Sequence, residues 1–174
     1  MIHHLANKLA IRIKKAAPEA PTSIEVMRYS LSFLLNAFFI IGITLMISVF
    51  TGRFTEAVIV LISYAILRQL TGGVHLKSGT LCIVVSTAGA TALSLAEFSY
   101  RIEVIVTVAS LLLILIFAPY LVTITRVKKN HYPIMRAAAM LLVSTALLVD
   151  SPPLVASFFV QALTLIHMKG GERT

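Results

Sequence analysis

A histidine and the only cysteine of this chain lie seven residues apart, in the stretch RQLTGGVHLKSGTLC at residues 68–82. Cys82 is a candidate nucleophile and His75 its candidate base, because a cysteine reacts as the thiolate and a neighbouring imidazole can take up the thiol proton. A lone cysteine in a membrane helix is most often just a small apolar side chain. The histidine and the cysteine together favour nucleophilic chemistry at this stretch.

The spacing of the pair requires a bend in the chain. On one straight helix, His75 and Cys82 would share a face but lie about 10.5 Å apart along the axis. Direct proton transfer requires roughly 2.6–3.2 Å. Glycine reaches backbone angles that other residues avoid, and three glycines flank His75 on both sides, namely Gly72, Gly73 and Gly79. The sequence therefore predicts a helix break around Ser78-Gly79, with the next helix starting at Thr80 and Cys82 in its first turn.

The composition of the chain is that of a membrane protein. Of its 174 residues, 58% are hydrophobic and 13% charged, with a mean hydropathy of +0.93, whereas soluble domains are about half apolar and a quarter charged. One cysteine cannot form an internal disulfide or a cysteine-rich zinc site. The sequence carries no Gly-rich phosphate loop, RNA-binding motif or internal repeat. We therefore expect membrane lipids around the chain, and no metal, cofactor or nucleic acid.

Six apolar segments predict an all-α integral membrane protein with about six transmembrane segments. They cover residues 31–50, 55–70, 80–97, 103–123, 137–150 and 153–168. The first and fourth are long enough to cross a hydrocarbon core of about 30 Å as straight helices. The second and fifth are short, so they would tilt, thin the bilayer locally or span incompletely.

The N-terminal stretch is predicted to be a separate basic helix over residues 1–20, ahead of a membrane domain over residues 21–174. Its apolar residues recur at roughly helical spacing, with lysines among them: Ile2, Leu5, Leu9 and Ile13, then Lys8, Lys14 and Lys15. Such a helix can lie on an anionic cytoplasmic leaflet, and a solvated basic tail is the alternative. After Pro18 and Pro21, Thr22 and Glu25 have the spacing of a capping box that would start the next helix.

The positive charges sort to one side of the predicted membrane domain. With the N-terminus inside, the outer loops keep only Arg53 and Arg101, so the other 13 of the 15 Lys and Arg residues lie inside. This bias predicts that both termini are cytoplasmic. The net charge of +8 is therefore explained by membrane topology rather than by nucleic-acid binding.

The stretch at 68–82 resembles the signature of the accessory gene regulator B (AgrB) family. These proteins are bacterial integral-membrane cysteine endopeptidases that process the precursors of cyclic quorum-sensing peptides. The resemblance rests on Arg68, Gly72, Gly73, His75 and Cys82 at these spacings, and on residues outside the stretch, namely Glu25, Tyr29, Ala118-Pro119, Arg126 to Lys129 and Pro133. Leu70 and Val74 occupy positions where the family usually has aromatic residues, and Leu76 one where it usually has a small residue. These differences concern the identity of the substrate more than the chemistry.

The resemblance implies a mechanism and a location. Cys82 would be the nucleophile and His75 the general base and later the general acid, acting on a short amphipathic propeptide at the cytoplasmic face of a bacterial plasma membrane. The resulting thioester would be captured by a Cys or Ser of the same peptide to give a thiolactone or lactone. Supporting residues would be Arg68, Gln69, Gly72, Gly73, Gly79 and Glu25.

For several residues the sequence allows more than one role. Arg68 either anchors a helix end at the interface or positions a substrate carboxylate or the oxyanion. Gln69 is a weaker candidate for a third, orienting group, and helix capping alone would explain Glu25. Lys128 and Lys129 either attract an acidic propeptide tail or only reflect charge sorting.

A non-enzymatic membrane protein, such as a transporter subunit or an assembly factor, is the alternative function. Transport normally leaves intramembrane charges or paired broken helices in related halves of a sequence, and neither is clear here. A homodimer is a reasonable expectation for so small a membrane protein.

The charge asymmetry yields a test of topology. In a Cys82→Ser background, a membrane-impermeant thiol reagent added from outside should modify Ser99→Cys or Ser151→Cys and spare Lys77→Cys, because the first two positions are predicted in outer loops. Labelling at position 77 with none at position 99 would invert the topology.

Overall fold

The computed structural model describes residues 2–19, 21–72, 78–118 and 131–169, with side chains described as far as residue 166. Over these ranges the chain forms seven α-helices and no strand, which confirms the predicted all-α class. The helices are α1 Ile2–Ala16, α2 Ile24–Thr51, α3 Phe54–Thr71, α4 Gly79–Ser94, α5 Tyr100–Phe117, α6 Tyr132–Ser144 and α7 Pro152–Lys169, with a 3-10 turn at Thr145–Leu147 after α6.

Each of the six apolar segments overlaps one of the helices α2 to α7. Residues 119–123 of the fourth segment lie outside the described residues. Three of these helices, α2, α3 and α5, are long and apolar enough to cross a membrane, whereas the apolar parts of α4, α6 and α7 are shorter. The second segment, expected to be short, forms an 18-residue helix that meets this criterion. The fifth is short as expected, with 13 residues in α6. The number of complete spans stays a prediction.

The cap of α2 differs from the prediction by one residue. Ser23, not Thr22, is the N-cap, with extended backbone angles and an Oγ that accepts a hydrogen bond from the Val26 amide at 3.3 Å. The prediction of a capping box was therefore wrong, because Glu25 is the second helical residue rather than the third. In the first turn its carboxylate still interacts favourably with the helix dipole.

The apolar core lies between α3, α5, α6 and α7, with α7 packed against both α3 and α5. Its fully buried side chains come from all four helices, the largest being Leu67, Ile114, Val143, Phe158 and Leu165. Pro152 and Pro153 occupy the first turn of α7, where a missing amide hydrogen is tolerated. The core therefore fixes the axis of α7 relative to the end of α3.

Helix α1 packs on α2 rather than forming a detached tail. Ile2, Ala6 and Ala10, each four residues apart, are its buried residues, and His3 Nδ1 lies 3.4 Å from Ser32 Oγ of α2. Leu5, in the predicted apolar stripe, is instead 42% exposed. Contact of this helix with the lipid leaflet stays a prediction.

Polar contacts join the α2–α3 and α4–α5 connections at one end of the bundle. The Arg53 guanidinium donates to the carboxylates of Glu97 and, at 3.4 Å, Glu56. The hydrogen bond with Glu97, followed by that with Glu56, raises the pKa of Arg53. Because these side chains are partly or largely exposed, the pairs add little stability. They do place both connections at the same end, as alternating helices require.

The packing predicts that stability depends on Phe158 far more than on an outward-facing phenylalanine. Phe158→Ala should lower the free energy of unfolding by about 3 kcal/mol, near the low end for buried Phe→Ala changes, since lipid solvates apolar side chains nearly as well as the interior does. Thermal unfolding in detergent measures the difference. Phe50→Ala is the matched control because Phe50 is 85% exposed, and equal effects of the two changes would contradict this view of the core.

Candidate active site at the break between α3 and α4

The predicted helix break is present. Helix α3 ends at Thr71, and Gly72 closes it by donating its N–H to the Arg68 carbonyl at 2.9 Å. Helix α4 starts at Gly79 with Ser78 as its N-cap, whose Oγ accepts from the Leu81 amide at 3.4 Å. Residues 73–77, including Gly73 and His75, lie outside the described residues, so the structure does not test the position of the histidine.

Cys82 lies in the first turn of α4, as predicted. Its amide donates to the Ser78 carbonyl at 2.9 Å, and its half-buried side chain places Sγ 4.0 Å from Ser86 Oγ. The helix begins at Gly79 instead of Thr80, one residue earlier than expected. A helix N-terminus carries partial positive charge, which favours an anion placed there.

The break removes the obstacle that a straight helix would impose on the pair. His75 is three residues from both Gly72 and Ser78, so its Cα lies within about 10–11 Å of each. Ser78 is in turn only about 6 Å along the helix axis from Cys82. The structure therefore describes Gly72 and Ser78, the two residues that flank the segment containing His75. Contact between His75 and Cys82 stays a prediction.

The two flanking glycines that the structure describes serve different purposes. Gly72 has φ +83°, an angle that L side chains rarely adopt, which confirms its predicted role in the bend. Gly79 is an ordinary helical residue, so the prediction that it bends the chain through unusual angles was wrong. A Cβ at Gly79 would lie 3.2 Å from Asn36 Oδ1 and 3.5 Å from Ile2 Cβ. Its glycine therefore allows close packing of α4 against α2 and α1.

Arg68 and Gln69 lie on the last turns of α3, near the break. The half-buried Arg68 places Nη1 3.3 Å from the Tyr64 hydroxyl, and its guanidinium carbon is 6.0 Å from the Tyr64 ring centroid. Gln69 is exposed. Both remain candidates for contact with a substrate at this end of α3.

Glu25 is not brought to the site by the described contacts. It is exposed in the first turn of α2, eleven residues before Asn36, which meets α4. Along a helix that separation is about 16 Å. Pro119 and residues 126–129, which include Lys128 and Lys129, lie outside the described residues, so their predicted roles are not tested.

Three polar residues near the break were missed by the sequence reasoning. Ser86 follows Cys82 by one helical turn, a spacing visible in the sequence. Asn36 has a buried Oδ1 without a hydrogen-bond partner among the described residues. Gln161 of α7 donates to Gly72 and Thr71. The only sequence signal for Asn36 and Gln161 is an amide inside an apolar segment, and it does not identify the partner.

Comparisons with known proteins agree with the motif. The family model described as "Accessory gene regulator B" matches residues 3–166. A protein of Halalkalibacterium halodurans named "Putative AgrB-like protein" is 26% identical to the chain, and the match covers 95% of this chain and 87% of that protein. No solved structure matches the chain.

The cap at Ser78 leads to a prediction about the helix that carries Cys82. Ser78→Ala should lower the free energy of unfolding by about 1 kcal/mol, since the Leu81 amide loses its acceptor. Ser78→Asn should retain most of the stability because asparagine caps equally well. Thermal unfolding of the three proteins in the same detergent compares them. An equal decrease in the free energy of unfolding in both variants would show that the Ser78 side chain is not acting as a cap.

Proposed function

Because this chain belongs to the accessory gene regulator B (AgrB) family, we propose that it is a membrane cysteine endopeptidase that cleaves a short propeptide and promotes its cyclisation. Membership of the family indicates a role in the agr quorum-sensing system, and the family is known for processing propeptides. The apolar helices agree with a membrane location. The observation that carries the proposal is the break between α3 and α4, which supports a bent motif with Cys82 at a helix start.

The first half of the reaction is cleavage. His75 takes the proton of the Cys82 thiol, and the sulfur attacks the carbonyl carbon of the scissile peptide bond. The oxyanion that forms is held by amides at the start of α4, since Gly79 and Thr80 are in the first helical turn and have no intrahelical acceptor. His75 then gives its proton to the leaving amine, the C–N bond breaks, and the C-terminal tail departs. An acyl-enzyme thioester on Cys82 remains.

The second half is ring closure. The side chain of a Cys or Ser within the same peptide loses its proton to His75 and attacks the thioester carbonyl. The bond to Cys82 breaks, the thiol is regenerated by that proton, and a thiolactone or lactone is released. Because a thioester is an activated acyl group, its exchange for a thiolactone or lactone is not uphill, whereas ring closure from a free acid would be.

The substrate in this proposal is a short amphipathic peptide that reaches the site from the cytoplasmic leaflet. Arg68, in the last turn of α3, would meet a substrate carboxylate or the oxyanion. Lys128 and Lys129 would attract an acidic tail from the same side of the membrane. A short reading frame beside this gene, encoding such a peptide with a central Cys or Ser, would provide the substrate for the test below.

The proposal predicts that Cys82 and His75 act as one unit. Cys82→Ala, His75→Ala and the double variant should each abolish cleavage of the co-expressed, C-terminally tagged propeptide to a similar extent, because residues that act together are non-additive. Release of the tagged tail is followed by immunoblot and the ring by mass spectrometry.

The control for the histidine is His131→Ala, an exposed position at the start of α6, which should cleave at the rate of the unsubstituted protein. All variants should reach the membrane in equal amounts. Clear residual cleavage by Cys82→Ala would remove the cysteine from the role of nucleophile and contradict the proposal.

A further inference from the structure

Gln161 is a fully buried amide in the predominantly apolar helix α7. Its side chain lies on α7 with 0% exposure, and its Nε2 donates at 2.8 Å to the carbonyl of Gly72 and at 3.1 Å to Thr71 Oγ1. Both hydrogens of the amide therefore have acceptors at the C-terminal end of α3. Polar side chains inside membrane helices are costly unless they are paired, so this pairing is a strong restraint on that end.

The acceptors are arranged to receive this amide. The buried Thr71 donates its own hydroxyl hydrogen to the Leu67 carbonyl at 2.8 Å, which leaves its oxygen lone pairs free to accept from Gln161. The Gly72 carbonyl lies beyond the last helical residue and accepts from no backbone N–H of α3, as is usual at a helix C-terminus. Within α3 it has only the 3.4 Å contact with Thr71 Oγ1. Gln161 therefore supplies the shorter hydrogen bond to this carbonyl, at 2.8 Å.

Joining α3 to α7 does not by itself explain this contact. The two helices already pack through the apolar core that includes Leu67 and Phe158. They also share a buried polar contact one turn away from Gln161, where Ser63 Oγ and Ser157 Oγ are 2.6 Å apart. What distinguishes Gln161 is its target, the backbone of the glycine where the chain leaves α3.

We propose that Gln161 is a positioning residue for the reaction, which fixes the carbonyl of Gly72 and so the direction in which the chain leaves α3. This inference rests on the proposed function, since His75 follows Gly72 by three residues. A three-residue segment spans at most about 10–11 Å, so a shift of the Gly72 carbonyl would act within that distance of the histidine. Gly72 has φ +83° and ψ −172°, angles that only glycine adopts readily, so the helix does not fix its carbonyl by itself.

The test combines cleavage with the reactivity of the only cysteine. Gln161→Met keeps an unbranched side chain of similar length but has no donor for Gly72. It should lower kcat for the propeptide by about ten- to a hundredfold, the scale of a small misplacement of reacting groups, with KM nearly unchanged. The rate of Cys82 alkylation by iodoacetamide at pH 7 should fall toward that of His75→Ala, since the thiolate is the species that reacts.

Ser157→Ala is the matched control because it removes a buried polar contact between the same two helices, away from Gly72. It should leave kcat and the alkylation rate near those of the unsubstituted protein. Gln161→Glu is the second variant, because a buried carboxyl is neutral and its O–H can still donate to Gly72. Gln161→Glu should retain more activity than Gln161→Met. It also provides a test of the hydrogen bond if the methionine variant fails to fold.

Three outcomes would overturn the inference. Equal reductions of kcat and of the alkylation rate in Gln161→Met and Ser157→Ala would show that Gln161 only packs the two helices together. An unchanged alkylation rate in Gln161→Met, alongside a lowered rate in His75→Ala, would leave the proposed function standing and remove the positioning role. Unchanged cleavage and alkylation in His75→Ala itself would remove the proposed pair of catalytic residues, and the role of Gln161 with it.

Discussion

In a hydrocarbon environment each backbone N–H and C=O must find its partner within the protein, and the rest of this structure depends on that constraint. A continuous helix meets it automatically, but the break between α3 and α4 does not. Two of the freed groups have partners in the described residues: Gln161 donates to the Gly72 carbonyl, and the Ser78 hydroxyl accepts from the Leu81 amide. These contacts allow the chain to leave helical geometry beside Cys82.

The same environment decides which side chains face inward. Because lipid tails are as apolar as leucine, large apolar groups between helices stabilise through packing contacts rather than through transfer from water, and small residues let the helices approach closely. The interior accordingly includes the Ser63–Ser157 contact and the buried Thr44 and Thr107. Large side chains such as Phe38 and Phe50 face outward. A surface with many exposed apolar side chains is thus expected for a membrane protein.

The candidate site depends on packing from two sides. Gly79 allows α4 to approach Asn36 of α2 and Ile2 of α1, so the N-terminal helix forms part of the wall around the start of α4. From the other side, α7 holds the end of α3 through Gln161, while the core around Phe158 and Leu165 sets the position of α7. The start of α4, which carries Cys82, and the end of α3 are therefore both held by packing against other helices.

The sequence by itself determined the membrane class, the positions of the helices, the break before Cys82 and the family resemblance. Apolar segments and the glycine and serine residues that end or start helices have their effect within a few residues, so these features can be deduced from the local sequence. The N-cap of α2 was still predicted one residue too early, at Thr22 instead of Ser23. Only the tertiary structure decided that Gly79 serves packing and that Gln161 meets Gly72, a partner 89 residues away. The physical reason is that a buried amide must be paired, but the identity of its partner depends on which helices lie side by side.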